Sequence, residues 1–534
     1  MREDLTSLDH LSLRERAGQV LFPRIGSNMQ PPVQIEDDAA RVEALLDRCP
    51  VGGLIAFNGR LGETSRALAS LQELSPVPLL IGADVERGVG QQVAGETLFP
   101  HGAAFGVIQD EGETLLEAAA RITAREALAN GIHVAFVPVA DVNRNPKNPI
   151  IATRAFGSDP ERVARLVRAY VKGCKAEGLL CTAKHFPGHG NTDQDSHEVL
   201  PSVSDPRPLL EQIDLVPFKE AIEEGVDLIM TAHVAYPALD PTGNPATFSR
   251  AILRDLLRQE MGFTGTVVTD SLLMGAVSQR YPDPRDQAAA LLNAGVDVFL
   301  DIPDPESMLN GIIKAVEEGL VDEETLDEAV LRVLGLKQRL LDRFGTDIFT
   351  QPWNLFPNEG RPSLPSKAFA RQVAGRSTTI LKSNHSIFPV VPGSVDGHRI
   401  VLLFVDPHRT SAALHDEPLC EAFFETYPES RCLAIGSDLD IRGSEEALRA
   451  VARADRIVIA LVVKPAAWRQ FGLLPKQEVL VQTIVSRHPV VLISLGSPHI
   501  LERFDDAPVQ ICTYSDSEPS QYAAVDVLSG ASVT

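Results

Sequence analysis

Short apolar runs alternate with helix-patterned segments from residue 15 to about 345, and this alternation most restricts what the chain can fold into. The runs fall at 18–23, 53–57, 78–84, 134–141, 179–185, 227–233, 265–270 and 296–301. Between them lie helical stretches such as 115–131, 160–178 and 215–225, each closing on a glycine suited to a helix C-cap. Eight strands alternating with helices predict an α/β fold, a (β/α)8 TIM-like barrel. A doubly wound sheet is the alternative, because 85–132 holds more than one simple connection.

The polar residues sharpen this expectation. Asp84, Asp141, Lys184–His185, His233, Asp270 and Asp301 each end an apolar run. One polar residue at a strand end is an ordinary loop cap. Six such ends in one chain converge on a single face of a barrel, where active sites of that fold lie.

The helical pattern at 322–345 reads as the last barrel helix. A breaker-rich stretch at 350–366 then reads as a linker. Further runs at 398–406, 431–437, 455–463, 489–497 and 507–515 predict a second, smaller α/β domain with a mostly parallel sheet. The expected division is a catalytic barrel over 1–345, a linker over 346–375 and a C-terminal domain over 376–534. No GxGxxG or GxxxxGK[ST] motif follows the later strands, so nucleotide binding has no support.

Composition excludes several partners. With 49 basic and 72 acidic residues the net charge is −23, which argues against nucleic acid and against an anionic membrane surface. The first 22 residues mix charges of both signs and lack the apolar core of a signal peptide. No apolar run approaches the roughly 18 residues of a membrane helix. Six cysteines, at 49, 174, 181, 420, 432 and 512, are scattered without a CxxC pair. They read as buried free thiols of a cytoplasmic protein.

Residues 184–201, KHFPGHGNTDQDSHEVLP, gather three of the chain's 13 histidines. A zinc reading of His185 and His189 requires one helix face, which Pro187, Gly188 and Gly190 forbid, although a loop can also collect ligands. His189, between two glycines, reads mainly as a loop-holding residue. Asp195 and His197 are one residue apart, and in an extended loop such residues point the same way. A carboxylate beside an imidazole fixes its tautomer and stabilises its protonated form, so His197 is a candidate proton donor and acceptor. Asp270 supplies a second carboxylate on the same predicted face. A carboxylate nucleophile with a nearby proton donor is the minimum for retaining glycoside hydrolysis.

At these residues the chain resembles glycoside hydrolase family 3, and within it the β-N-acetylglucosaminidase branch. The matching segments are 11–22, 138–160, 184–197, 230–240 and 267–277, with KHFPGHG followed by DSH as the specific signal. The resemblance implies that Asp270 is the nucleophile. It implies that His197 is the general acid and then the base, with Asp195 as its partner. Lys184, His185, Asp84 and Arg154 would bind sugar hydroxyls. It also implies a C-terminal α/β sandwich domain, a small carbohydrate substrate, and no metal or organic cofactor. The branch usually reads D-x-E-G-G-R-V-x-R after the third strand. Here residues 84–93 read DVERGVGQQV, and Gln92 stands where a sugar-binding arginine is expected.

The resulting expectation is a retaining exo-β-N-acetylglucosaminidase acting on muropeptide or chitin fragments. Its alternatives are a phosphorylase or β-glucosidase of the same family, or a non-catalytic sugar-binding barrel.

Overall fold

A computed structural model describes residues 5, 7–278, 280–356, 364–392, 399–414, 416–466, 469 and 471–531. The chain forms two compact units. The first comprises Met1–Thr97, Glu113–Asn148 and Ala155–Ser366; the second comprises Leu98–Gly112, Pro149–Arg154 and Lys367–Thr534.

In the first unit, strands Gly53–Ala56, Leu80–Ala83, Val134–Ala135, Leu180–Phe186, Leu228–Thr231 and Thr266–Thr269 pair successively and in parallel. The first strand is interrupted at Pro23, which has no N–H to give to a ladder. Leu21–Phe22 therefore pairs with Phe299–Leu300, while Arg24–Ile25 pairs with Gly53–Ala56. A parallel bridge between Val268 and Val298 joins Thr266–Thr269 to the last strand. Eight parallel strand positions thus close on themselves, as the alternation predicts.

The crossover helices carry the expected signals. Helix Pro160–Glu177 has Asp159 as N-cap, bonded to Arg162 N–H, and Gly178 as its left-handed cap at φ 91°. It buries Val163, Leu166, Val167, Tyr170, Val171 and Cys174, a stripe at helical spacing. Helix Val216–Glu224 ends on Gly225 at φ 82°. The long segment after the third strand holds a turn at Val89–Gln91, a short strand Val93–Ala94 paired with Gly59–Arg60, and helix Gly102–Val107, which is grouped with the second unit. These precede the crossover helix Gly112–Ala129, which accounts for the extra length.

Residues 346–375, expected to be a linker, hold the short helices Asp347–Thr350 and Pro352–Leu355 and the start of Leu364–Ser377. Residues 357–363 of that stretch lie outside the described ones.

The second unit is built on one six-stranded sheet. Strands Ile400–Val405, Arg431–Ile435, Arg456–Val463, Val491–Gly496 and Val509–Cys512 are parallel, and Thr379–Lys382 adds an antiparallel edge. Alternate residues feed two cores: Val401, Leu403 and Val405 face one, while Ile400, Leu402 and Phe404 face the other. A parallel sheet covered on both faces explains why these runs are continuously apolar.

All six cysteines are free thiols; five are buried, but Cys432 is only half-buried, contrary to the expectation for all six. Among the described residues no helix is long and apolar enough to cross a membrane.

Candidate active site

The strand Leu180–Phe186 delivers two adjacent site residues, Lys184 and His185. In a regular strand neighbours face opposite sides. Here the pairing register shifts between Ala183 and Phe186, a local irregularity that re-aims the chain. Lys184, only 2% exposed, places its ammonium 2.6 Å from Asp84 Oδ1 and 2.7 Å from Glu86 Oε1. Two carboxylates thus hold one buried cation, which is the condition for burying it at all.

His185 is held by Asp141. Its Nδ1 lies 2.7 Å from Asp141 Oδ2, and its backbone N–H donates to the same carboxylate. Asp141 Oδ1 also accepts from the His189 N–H at 2.6 Å. Burial pushes the Asp141 carboxyl up, but His185 and His189 outweigh it and hold it below its ordinary value. This anchor turns His185 Nε2 toward Asp270, 3.9 Å from its Oδ2.

Asp270 follows the strand Thr266–Thr269 and leaves 22% of its side chain open. Burial pushes its carboxyl up. The imidazoles of His185, His233 and His197 and the Ser271 N–H more than offset this, and its pKa is held at about 2. Asp270 Oδ1 accepts the Ser271 N–H at 2.7 Å.

The Asp195–His197 pair forms, but not through an extended loop. Asp195 O accepts from Glu198 N–H and Val199 N–H, so the segment is a turn. Asp195 Oδ1 accepts the His197 backbone N–H at 2.8 Å and lies 2.7 Å from His197 Nδ1. An aspartate that bonds two residues ahead is a usual turn former, and here the same oxygen orients the imidazole. The turn is pinned to the chain beyond Asp270: Gly275 N–H donates to His197 O at 3.0 Å and Ala276 N–H to Ser196 O at 3.3 Å. A Cβ at Gly275 would lie 2.8 Å from His197 O, so the approach needs glycine.

His189 is buried with both ring nitrogens bonded, Nδ1 to Thr192 Oγ1 at 2.9 Å and Nε2 to Ser196 Oγ at 3.0 Å. Burial pushes its pKa down to about 4. It is a neutral brace for the loop, and neither nitrogen is left for a metal. Gly190 beside it packs on Val142 O, where a Cβ would sit 1.8 Å away.

His233 is equally buried and burial pushes its pKa down. Its Nε2 lies 3.1 Å from Ser271 O and its Nδ1 2.6 Å from Thr247 Oγ1. A carbonyl only accepts, so Nε2 carries the proton and Nδ1 accepts from Thr247.

Gln92, in place of the expected arginine, donates to Asp84 O at 3.0 Å and accepts from Asn28 Nδ2 at 3.1 Å. Arg154 lies in the turn Ala152–Arg154, grouped with the second unit, and its Nη1 donates to Ile150 O.

The first unit therefore brings together Asp84, Lys184, His185 and Asp270, with the Asp195–His197 turn fastened beside Asp270. Sequence reading left Glu86 and Asp141 without roles, although a motif position and a strand end marked them. It gave no role to Arg24 or Ser271. Such a set offers an ionised carboxylate, an imidazole oriented by a second carboxylate, and a fixed ammonium.

Comparison with known proteins gives concordant matches. The family described as the glycosyl hydrolase family 3 N terminal domain matches residues 12–336. The chain is 35% identical over 327 residues to beta-hexosaminidase A of Pseudoalteromonas piscicida, covering 55% of this chain and 54% of that one. It is 34% identical over 358 residues to a beta-N-acetylglucosaminidase/beta-glucosidase of Cellulomonas fimi, covering 64% of this chain and 61% of that one. The match thus spans little more than half the length of these two curated relatives. A solved glycoside hydrolase family 3 beta-N-acetylglucosaminidase from Paenibacillus sp. str. FPU-7 superposes with a TM-score of 0.84 at 29% identity, covering 98% of this chain and 97% of that one.

Proposed function

The chain belongs to glycosyl hydrolase family 3, and from that premise we propose that it is a retaining exo-β-N-acetylglucosaminidase. Asp270 attacks the anomeric carbon and forms a covalent glycosyl-enzyme. His197, oriented by Asp195, gives its proton to the leaving oxygen and then takes one from the incoming water. The observation that carries this reading is the 2.7 Å Asp195–His197 contact on a turn bonded to the segment just beyond Asp270.

The other residues divide by charge. Lys184, fixed by Asp84 and Glu86, and His185, fixed by Asp141, present donors and acceptors suited to vicinal hydroxyls. Arg154 enters on the family resemblance alone. The names of the relatives support the acetamido sugar, and terminal β-linked N-acetylglucosamine of muropeptide or chitin fragments is the substrate class. A second reading, phosphorolysis, draws on the imidazole. Once it has given up its proton it is neutral, and so does not add a negative charge against incoming phosphate.

Release of nitrophenol from the β-N-acetylglucosaminide and the β-glucoside, with and without phosphate, tests both readings. Preference for the acetamido sugar with no phosphate effect is expected. Acceleration by phosphate moves the assignment to a phosphorylase, preference for glucoside moves it to a β-glucosidase, and silence on both leaves a non-catalytic barrel.

A further inference from the structure

Ser271 follows the proposed nucleophile, and it is held from two directions. Its Oγ donates to Asp301 Oδ2 at 2.6 Å, and its carbonyl accepts from His233 Nε2 at 3.1 Å. Asp301 is 2% exposed and is gripped by Arg24 through two parallel bonds, Nε to Oδ1 and Nη2 to Oδ2, each 2.6 Å. A bidentate guanidinium–carboxylate pair fixes orientation as well as charge. Asp301 also sits at φ 56°, a left-handed conformation uncommon for a residue with a Cβ, and its N–H donates to Phe22 O. Arg24 belongs to the first strand and Asp301 follows the last, so the pair spans the seam where the barrel closes.

We propose that Arg24, Asp301 and Ser271 are positioning residues that aim the nucleophile. The pair fixes Asp301, Asp301 fixes the Ser271 hydroxyl, and the Ser271 N–H then engages Asp270 Oδ1, leaving Oδ2 on the side of His185. His233 holds the same peptide from its carbonyl end. An in-line attack needs one carboxylate oxygen pointed at the anomeric carbon, and small errors in aim are costly. Closure of the barrel and aim of the nucleophile are therefore one construction. This inference rests on Asp270 being the nucleophile.

The test is a kinetic split with rescue. In Ser271→Ala, kcat falls about tenfold while KM changes less than twofold, because ground-state sugar contacts are untouched. Ser271→Thr keeps the hydroxyl and recovers most of the rate. Arg24→Lys keeps the charge but loses the fork, and gives a smaller fall of the same kind. Thermal melts of each variant confirm that the rates refer to folded protein. Wild-type kcat in Ser271→Ala overturns the inference. So does a loss that Ser271→Thr does not rescue, or one that appears only in KM. Asp270→Gly with added azide separates the two layers. Formation of a glycosyl azide supports the nucleophile whatever Ser271 does. Failure of that rescue, in a folded variant, removes the premise itself.

Discussion

Asp297 and Asp270, at opposite ends of two neighbouring barrel strands, hold their charge in opposite ways. The last strand, Phe299–Leu300, has Asp297 just before it and Asp301 just after it. At the leading end, Asp297 accepts from Arg258 at 2.6 Å, Val267 N–H at 2.7 Å and Arg332 at 3.0 Å. Burial pushes this carboxyl up even against two guanidiniums. At the trailing end, Asp270 leaves 22% of its side chain open and is held at about 2 by its neighbours. A cleft lined by Asp227, Arg332 and Arg339 also lies at the leading end. Buried charges beside a cleft therefore do not by themselves make a site. At Asp270, by contrast, one oxygen accepts the Ser271 N–H and the other lies 3.9 Å from His185 Nε2.

The largest expected effect tests that contrast directly. Asp270→Asn is expected to lower kcat on nitrophenyl N-acetylglucosaminide by roughly 10⁴-fold or more, with a wild-type melt. Asp297→Ala is expected to do the reverse. It leaves Arg258 and Arg332 without their shared partner, costs about 3–5 kcal/mol in urea unfolding, and changes kcat per folded molecule less than twofold. If Asp297→Ala instead lost activity at full stability, the division between the two ends would collapse.

His197→Ala comes next. A missing general acid matters most where the leaving group needs a proton, so alkyl and sugar aglycones lose about 10²–10³-fold while activated aryl glycosides lose far less. Equal losses on both remove the acid role and leave His197 as a turn residue like His189.

How much of this was legible in sequence follows from how local each contact is. The strands were readable because a parallel strand covered on both faces is a continuous apolar run. The bracing role of His189 was readable from its flanking glycines. The Asp195–His197 pairing was readable but its geometry was not: two residues of spacing fit a turn as well as an extended segment, and the Glu198 and Val199 amides decide for the turn. Arg24 was not readable at all. Its partner lies 277 residues away, and nothing local distinguishes an arginine after Phe22–Pro23 from a surface residue. Gln92 was visible as a departure, yet its bonds to Asp84 O and Asn28 depend on the folded loop.

Histidines at opposite ends offer a subtler comparison, because both are neutral braces. His133 accepts from Ile81 N–H and faces Ile348 O at the leading end; His189 lies in the trailing loop. Burial pushes each down to about 4. With an unfolded value near 6.5, the unfolded chain binds more protons between about pH 4 and 6.5, so stability rises with pH across that window and is lost on acidification. His133→Gln and His189→Gln should each flatten the rise of Tm over that range by similar amounts. Asp214 acts oppositely. Burial raises it to about 7 despite Arg144, so the native state holds the extra proton from about pH 4 to 7, and Asp214→Asn should steepen the rise. An unchanged slope in either histidine variant would mean that the ring is not buried neutral.

The smallest effect separates a buried pair from an exposed one at the same end. Arg339 pairs with Asp227 at 2.8 Å, but 54% of the Arg339 side chain is open to solvent, against 14% for Arg258 on Asp297. Asp227 Oδ2 also accepts from Cys181 N–H at 3.0 Å, a bond that survives loss of the arginine. Burial already pushes the Asp227 carboxyl up, so without Arg339 it can meet its burial by taking a proton. Arg339→Ala should therefore cost only about 1 kcal/mol, less at high salt, and leave kcat unchanged. A loss as large as that of Asp297→Ala would show that exposure of one partner does not discount an ion pair here. The leading end would then be held by its charge network as a whole, not by the three bonds that hold Asp297.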